Sequence, residues 1–308
     1  MPGALPLSVI IPTYGRGEVM VDTVEQLLSQ RPPVAEVIVV DQTRSHDPET
    51  LARMDRLQRA GAIRWLRRAE PSQPGALNLG LSCATQPYVL FLDDDIRVGA
   101  GFAAAHLAAF VDDSIWAVAG QVLQPGESPD DSWVHRPEVG PFADSAFRFR
   151  SARPTLVCNG MSGNLSVRTG RARAIGGFDE NFLPPVSYRF DEDFCKRLVA
   201  AGGLIRFEPR ASIDHLRAPS GGTRSLGSHL TSASPMHGIG DYYFALKRGI
   251  SWGTARYILR RPFREVMTRF HASHPWWIPV KFLGELRALA GAIRVWRQGP
   301  RYLPPEPG

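Results

Sequence analysis

Four short apolar runs recur in the first third of the chain, and the segments between them have helical spacing. The runs are Leu7–Ile11, Glu36–Val40, Ala62–Leu66 and Tyr88–Leu92. Runs of this length without alternation suit strands buried on both faces. Between the first two, Glu18–Gln30 places Val21, Val24, Leu27 and Leu28 on one side. Asp47-Pro48-Glu49 opens a second helix, an N-cap followed by proline at the first helical position, and Gly75–Ala84 reads as a third. This alternation predicts an α/β fold: a Rossmann-like, mostly parallel sheet with helices on both faces. A length of 308 residues and 44% hydrophobic content allow one large domain, or one domain with an appendage.

The fourth run ends in Asp93-Asp94-Asp95. In an open α/β sheet, ligands sit outside the carboxyl ends of the strands. Three like charges there raise one another's pKa unless a cation is present. Mg²⁺ or Mn²⁺ takes carboxylates and leaves room for phosphate oxygens. The triplet reads as a metal–diphosphate site, or as a solvated acidic turn before a helix opening near Gly99. Taken alone, it does not separate the two.

Prolines and glycines from Gly120 to Arg153 predict a long irregular segment, which inside a compact domain is usually functional or mobile. Order returns at Gly163–Arg168. Phe190–Ala201 is helical and Gly202-Gly203 ends it. Leu204–Phe207 and Ala211–His215 read as two short strands. After about Ser228 the composition shifts. Residues 229–308 hold 12 Lys/Arg and 4 Asp/Glu, against 24 and 26 in residues 1–228, so the net +6 belongs to the C-terminal quarter. The expected division is a catalytic domain over 1–228 and a basic, aromatic-containing helical extension over 229–308. Leu259, Phe263, Val266 and Phe270 follow helical spacing, as do Phe282, Leu286, Leu289, Ile293 and Trp296, with arginines on the other sides. These C-terminal amphipathic helices either pack on the domain and expose arginine to water, or lie against an anionic membrane. No run reaches the roughly 20 apolar residues of a membrane span. The first residues carry no basic segment followed by an apolar one, so no signal peptide is expected. Three cysteines without framework or metal spacing suit a reducing compartment.

Four segments in order resemble those of family 2 glycosyltransferases with the GT-A fold, over roughly residues 7 to 225. They are Ser8–Tyr14, Val37–Asp41, Phe91–Asp95, and Gly176–Asp179 with Asp191–Leu198. The stretch from Asn164 to Arg224 is most similar to bacterial rhamnosyltransferase-like members. The resemblance implies that Pro12, Thr13, Tyr14 and Arg16 line the donor nucleotide, with the Tyr14 ring as a stacking face. It implies that Asp41 accepts a hydrogen bond from a base N–H, and that Asn78 lies at the nucleotide-side helix start. The bland readings are a turn aromatic for Tyr14, a turn former for Asp41 and a packing residue for Asn78. Family members often carry arginine where this chain has Leu77, and Arg67 or Arg68 would substitute. Asp93 is placed near ribose and metal, Asp94 behind it, and Asp95 on the divalent ion. Asp191 is placed as the general base, with Asp193 as its alternate or as an ion-pair partner of Arg197 at i, i+4. His215 is expected on the metal or diphosphate, Arg217 and Arg224 on phosphate with Gly221-Gly222 as a hinge, and Asp179 on an acceptor hydroxyl.

The implied activity is metal-dependent, inverting transfer of a sugar from a UDP- or dTDP-sugar to a glycan or glycolipid acceptor. Mg²⁺ or Mn²⁺ is the cofactor, and cell-surface polysaccharide or glycolipid synthesis is the setting. The expected location is cytoplasmic, peripheral on the inner face of the membrane. No nucleic-acid-binding module is recognised. Two other readings stay open: a nucleotidyltransferase, for which the turn at Thr13–Gly17 is short, and a non-catalytic, membrane-tethered scaffold with a degenerate site.

Overall fold

The computed structural model describes residues 3–182, 188–218, 221, 228–249 and 251–304. In chain order the strands are β1 (Leu5–Thr13), β2 (Val34–Asp41), β3 (Arg64–Arg67), β4 (Tyr88–Leu92), β5 (Ile96–Val98), β6 (Ile115–Leu123), β7 (Thr155–Val157), β8 (Asn164–Arg168) and β9 (Leu204–His215). The helices are α1 (Glu18–Leu28), α2 (Pro48–Arg59), α3 (Gln73–Cys83), α4 (Phe102–Ala108), α5 (Thr169–Ala174), α6 (Phe190–Ala200), α7 (Ile239–Lys247), α8 (Trp252–Val266), α9 (Arg269–Ser273) and α10 (Ile278–Gln298).

All nine strands form one sheet in the order β3-β2-β1-β4-β8-β6-β9-β5, with β7 on β9. The first four strands are parallel to their neighbours, as the alternation predicts. Beyond β4 the sheet is mixed: β8 runs antiparallel to β4 and β6, while β6 and β9 run parallel. The parallel half is therefore larger in the reading from sequence than in the molecule. The irregular stretch after β6 explains the change. It supplies no crossover helix, and an antiparallel neighbour needs none. Gly120–Arg153 also overstates that stretch, because β6 continues to Leu123. The two short strands expected at 204–207 and 211–215 are one strand with a register shift against β6.

The first, second and fourth apolar runs are buried on both sides, and the third is the partly exposed edge strand β3. Leu7, Val9 and Ile11 of β1 face one core with Val21, Val24 and Leu27 of α1, whereas Ile10 faces the other with Leu77 and Leu81 of α3. β2 and β4 divide the same way. The second core extends through Phe178 and Phe194 to Tyr242, Tyr243 and Phe244 of α7 and to Ala288, Ala292 and Val295 of α10. The last helices thus share a core with the sheet.

They do so by an unexpected face. α8 buries Thr254, Arg261 and Pro262, and α10 buries Lys281, Gly284, Glu285, Ala288, Ala292 and Val295. Of the apolar stripes, whose direction the sequence left open, part faces outward: Leu259 is 69% exposed, Phe263 57% and Leu286 48%, while Leu289 packs against the core. The cause is an ion cluster beneath the helices. Arg261 meets Asp241 at 2.5 Å and Glu285 at 3.1 Å, and Lys281 meets Glu285 at 2.8 Å. Buried charges must be paired, and here the pairing orients the helices.

Candidate active site

The strand ends gather the acidic triplet with residues distant in sequence. Because β8 runs antiparallel to β4, its first residue, Asn164, lies beside Leu92. The preceding Gly163 then sits against Asp93, whose amide donates to the Gly163 carbonyl at 3.1 Å. A Cβ on Gly163 would lie 2.2 Å from Asp93 Oδ2, so only glycine leaves room for that carboxylate. Likewise β5 runs antiparallel to β9, and Ile96 pairs with His215. This register carries the imidazole to the triplet.

The three aspartates have different environments. Asp94 is turned inward: Oδ2 accepts from Thr13 Oγ1 at 2.6 Å and Oδ1 lies 3.5 Å from Arg16 Nε. Burial pushes its pKa up to about 7, against the lowering effects of Thr13 and Arg16. Asp95 is buried too, but its oxygens meet His215 Nε2 at 3.2 Å, Arg16 Nη2 at 3.1 Å and the Ala218 amide at 2.9 Å. Burial alone would raise its pKa, yet His215, Arg16 and the amide outweigh it and hold the carboxyl below its usual value. Asp93 is partly exposed, with Oδ2 3.9 Å from His215 Nε2.

One ligand atom from each of Asp93, Asp95 and His215 can be chosen so that all lie within 4.8 Å of one another. His215 Nδ1 lies 3.1 Å from Gln124 Oε1, and a proton directed there leaves the Nε2 lone pair facing the carboxylates. Two carboxylates and an imidazole fit Mn²⁺ or Mg²⁺. Sequence reasoning missed Gln124, because nothing local marks a glutamine at the end of β6 as an imidazole partner.

Asp191 stands in the first turn of α6, half-buried. Its Oδ1 accepts from the Glu192 amide at 2.9 Å and its Oδ2 faces the Ser162 amide at 3.5 Å. Loss of water pushes its pKa up to about 6. Ser162 adjoins Gly163, so one turn touches both Asp93 and Asp191. Asp193 instead lies in the core, bound by Arg197, Lys247 and Arg248. It takes the ion-pair role open to it at i, i+4.

On the nucleotide side, Pro12 and Thr13 end β1 and Tyr14 is 38% exposed. Asp41 is fully buried at the end of β2. It accepts from the Thr43 amide, His46 Nε2, Trp65 Nε1 and Arg67 Nη1 at 2.6 to 3.0 Å. A base N–H reaches this carboxylate only by displacing one of those donors. His46 and Trp65 went unnoticed in the sequence, since they converge from separate segments. Arg67, one of the two candidates to replace the arginine missing at Leu77, reaches this cluster. Arg68 lies toward Glu180 at 3.8 Å.

Two expected site residues are structural here. The Asn78 amide donates to the Phe178 carbonyl and Glu180 Oε1, and its oxygen accepts from the Phe178 amide. It clamps α3 to the Phe178–Glu180 segment after α5. Asp179 is fully buried and takes Tyr243, Lys247 and the amides of Asn181 and Arg301. It holds α7 and the chain end instead of an acceptor hydroxyl. Arg217 is exposed just past β9. Gly221, at φ +81°, approaches the turn after β1, where a Cβ would lie 2.7 Å from the Gly15 carbonyl. Gly222 and Arg224 lie outside the described residues.

Residues 8–167 match the protein-family model described as Glycosyl transferase family 2. A pre-mycofactocin glycosyltransferase of Mycobacterium tuberculosis is 33% identical over 144 residues, covering 46% of this chain and 29% of that protein. The chain therefore matches less than a third of that relative's length. Among solved structures, S. aureus TarS 1–349 in complex with UDP-GlcNAc aligns at TM-score 0.59 and 15% identity, covering 97% of this chain and 93% of that one. The mannosyltransferase PcManGT from Pyrobaculum calidifontis in complex with GDP-Man and Mn²⁺ aligns at 0.54 and 16%, covering 96% and 79%. These likenesses agree with the fold, a GT-A sheet.

Proposed function

Because the chain belongs to glycosyl transferase family 2, we propose that it moves a sugar from a nucleoside-diphosphate donor to an acceptor hydroxyl with inversion at the anomeric carbon. The observation that carries this reading is the convergence of Asp93, Asp95 and His215 on one point, with Asp191 facing the same turn. Asp93, Asp95 and His215 would hold Mg²⁺ or Mn²⁺, and such an ion would supply neutralisation of the diphosphate charge. Pro12, Thr13 and Tyr14 border the nucleotide, and Arg16 spans Asp94 and Asp95 beside it. Asp41 sets the base side through the His46, Trp65 and Arg67 cluster, and Arg217, exposed just past β9, is the candidate for phosphate. Asp191, charged above about pH 6, takes the proton of the acceptor hydroxyl as its oxygen attacks from the face opposite the diphosphate. One displacement inverts the centre. The bound nucleotides of the structural neighbours, UDP-GlcNAc and GDP-Man, support a nucleotide-sugar donor. We place the acceptor in cell-surface polysaccharide or glycolipid synthesis at the inner face of the membrane.

The test is release of nucleoside diphosphate from a panel of UDP-, dTDP- and GDP-sugars, with glycan and lipid-linked acceptors, and NMR of the product's anomeric configuration. Inverted product that requires Asp191 is expected. A product of retained configuration would overturn the mechanism, and no turnover of any sugar nucleotide would overturn the function.

A further inference from the structure

The outward face of the C-terminal helices combines two features that a water-facing surface does not need. Trp252 is 81% exposed, Leu259 69%, Phe263 57% and Met267 82%, and all lie on or just beyond α8. On a helix, positions 252, 259, 263 and 267 share a side with 256, while 260 and 264 flank it. These last three positions are Arg256, Arg260 and Arg264, and all three are exposed. Beside this stripe, the Phe263 ring meets Phe282 of α10 at 5.7 Å, and Leu283 and Leu286 are exposed on the same helix. Trp276 is 63% exposed just before α10. The helices cannot bury this stripe themselves, because their inward faces are taken by the Asp241, Arg261 and Glu285 cluster. An exposed apolar patch rimmed by charge of one sign marks an interaction surface.

Charge identifies the partner. From residue 251 to 304 the acidic residues are Glu265 and Glu285 alone. Glu285 is buried with Arg261 and Lys281, and Glu265 is bound to Arg264 and Arg261. The face thus offers arginine without a free carboxylate. A second copy docked face to face would oppose arginine to arginine. A surface of anionic headgroups over acyl chains complements both parts: tryptophan settles at the headgroup level, leucine and phenylalanine below it, and arginine snorkels to phosphate. No helix of the described residues is long and apolar enough to cross a membrane.

We propose that the face formed by α8, the Trp276 turn and the outer side of α10 docks on an anionic lipid bilayer, with α8 in the interface plane. This extends the proposed membrane setting, but it rests on surface geometry, and its test reads binding instead of transfer. Either claim can therefore fail without the other.

The full chain is floated with vesicles of phosphatidylcholine alone, or mixed in equal parts with phosphatidylglycerol. Binding is expected to the mixed vesicles and to weaken sharply as NaCl rises from about 0.1 M to about 1 M, where the Debye length falls from about 10 Å to about 3 Å. Arg256→Gln with Arg260→Gln is expected to weaken it about 25-fold, roughly fivefold for each arginine near the surface. Trp252→Ser with Leu259→Ser and Met267→Ser removes binding while the melting temperature holds, because these side chains are exposed already. No flotation with phosphatidylglycerol vesicles at low salt would overturn the proposal, as would flotation unchanged in both variants. A dimer seen by light scattering that either variant dissociates would assign the face to a second copy and overturn it equally.

Discussion

Asp191 and Asp193 stand two residues apart on one helix and live in opposite worlds. Among the described residues, Asp191 is half-buried and its carboxylate meets the backbone amides of Glu192 and Ser162. Asp193 is wholly buried and holds Arg197, Lys247 and Arg248. Two positions along an α-helix turn by about 200°, so one side chain faces the mouth and the other the core. The same contrast divides Asp93 and Asp95 from Asp179. The former offer ligand atoms within 4.8 Å of one another and of His215, while Asp179 is fully buried among four protein donors. A carboxylate is placed for chemistry where side chains of matching ligand type converge on it. Acidity and position in sequence do not decide it.

This contrast makes sharp predictions. Asp191→Asn lowers kcat by about 10²- to 10⁴-fold, the range of a lost general base, while urea denaturation shows a folded protein. Asp193→Ala does the reverse. It leaves a buried cluster of cations uncompensated and costs about 3–5 kcal/mol of stability by the same denaturation measurement. An Asp193→Ala enzyme that is inactive yet fully stable would exchange the two roles. A smaller loss, about 1–3 kcal/mol, is expected for Asn78→Ala, which strands the buried amide of Phe178.

The weakest effect is one of pH. Burial raises Asp191 from the usual 3.8 to about 6. Between those values the unfolded chain releases this proton while the folded protein keeps it, so this group lowers stability as pH rises from about 4 to about 6. Above that the penalty is constant. Asp191→Asn should therefore melt higher than the parent at pH 7, and the two should converge near pH 4. In the parent, kcat/KM falls as pH drops below about 6. Equal melting temperatures at pH 7 would remove the desolvated base from the account.

The strand ends were legible because the first, second and fourth apolar runs are buried on both faces and carry that fact in their composition, while the third is the partly exposed edge strand β3. The triplet at the end of β4 was equally visible. The second half of the sheet was harder. β5 has three residues, and the order β4-β8-β6-β9 depends on the return of a segment without helical pattern. That segment is irregular as read, but Phe147 is buried and Trp133, Phe142 and Phe149 pack against the core. The ring of donors around Asp41 was invisible, because His46, Trp65 and Arg67 meet only in three dimensions. The sequence left the orientation of α8 open between packing on the domain and lying against a membrane. Hydrophobic periodicity assumes that the apolar side goes inward, and here Arg261 goes inward with two carboxylates.

The most direct test of the central claim is the melting temperature of the protein with UDP, dTDP and GDP, each with and without Mn²⁺. A ligand that binds only the folded state raises it by mass action, worth about 2.7 kcal/mol at a hundred times Kd. The account predicts a rise with at least one nucleotide that requires Mn²⁺, disappears in Asp95→Ala and persists in Asp191→Asn. A nucleotide-dependent rise that ignores the metal and survives Asp95→Ala would contradict the assignment of Asp93, Asp95 and His215 as the metal–diphosphate site.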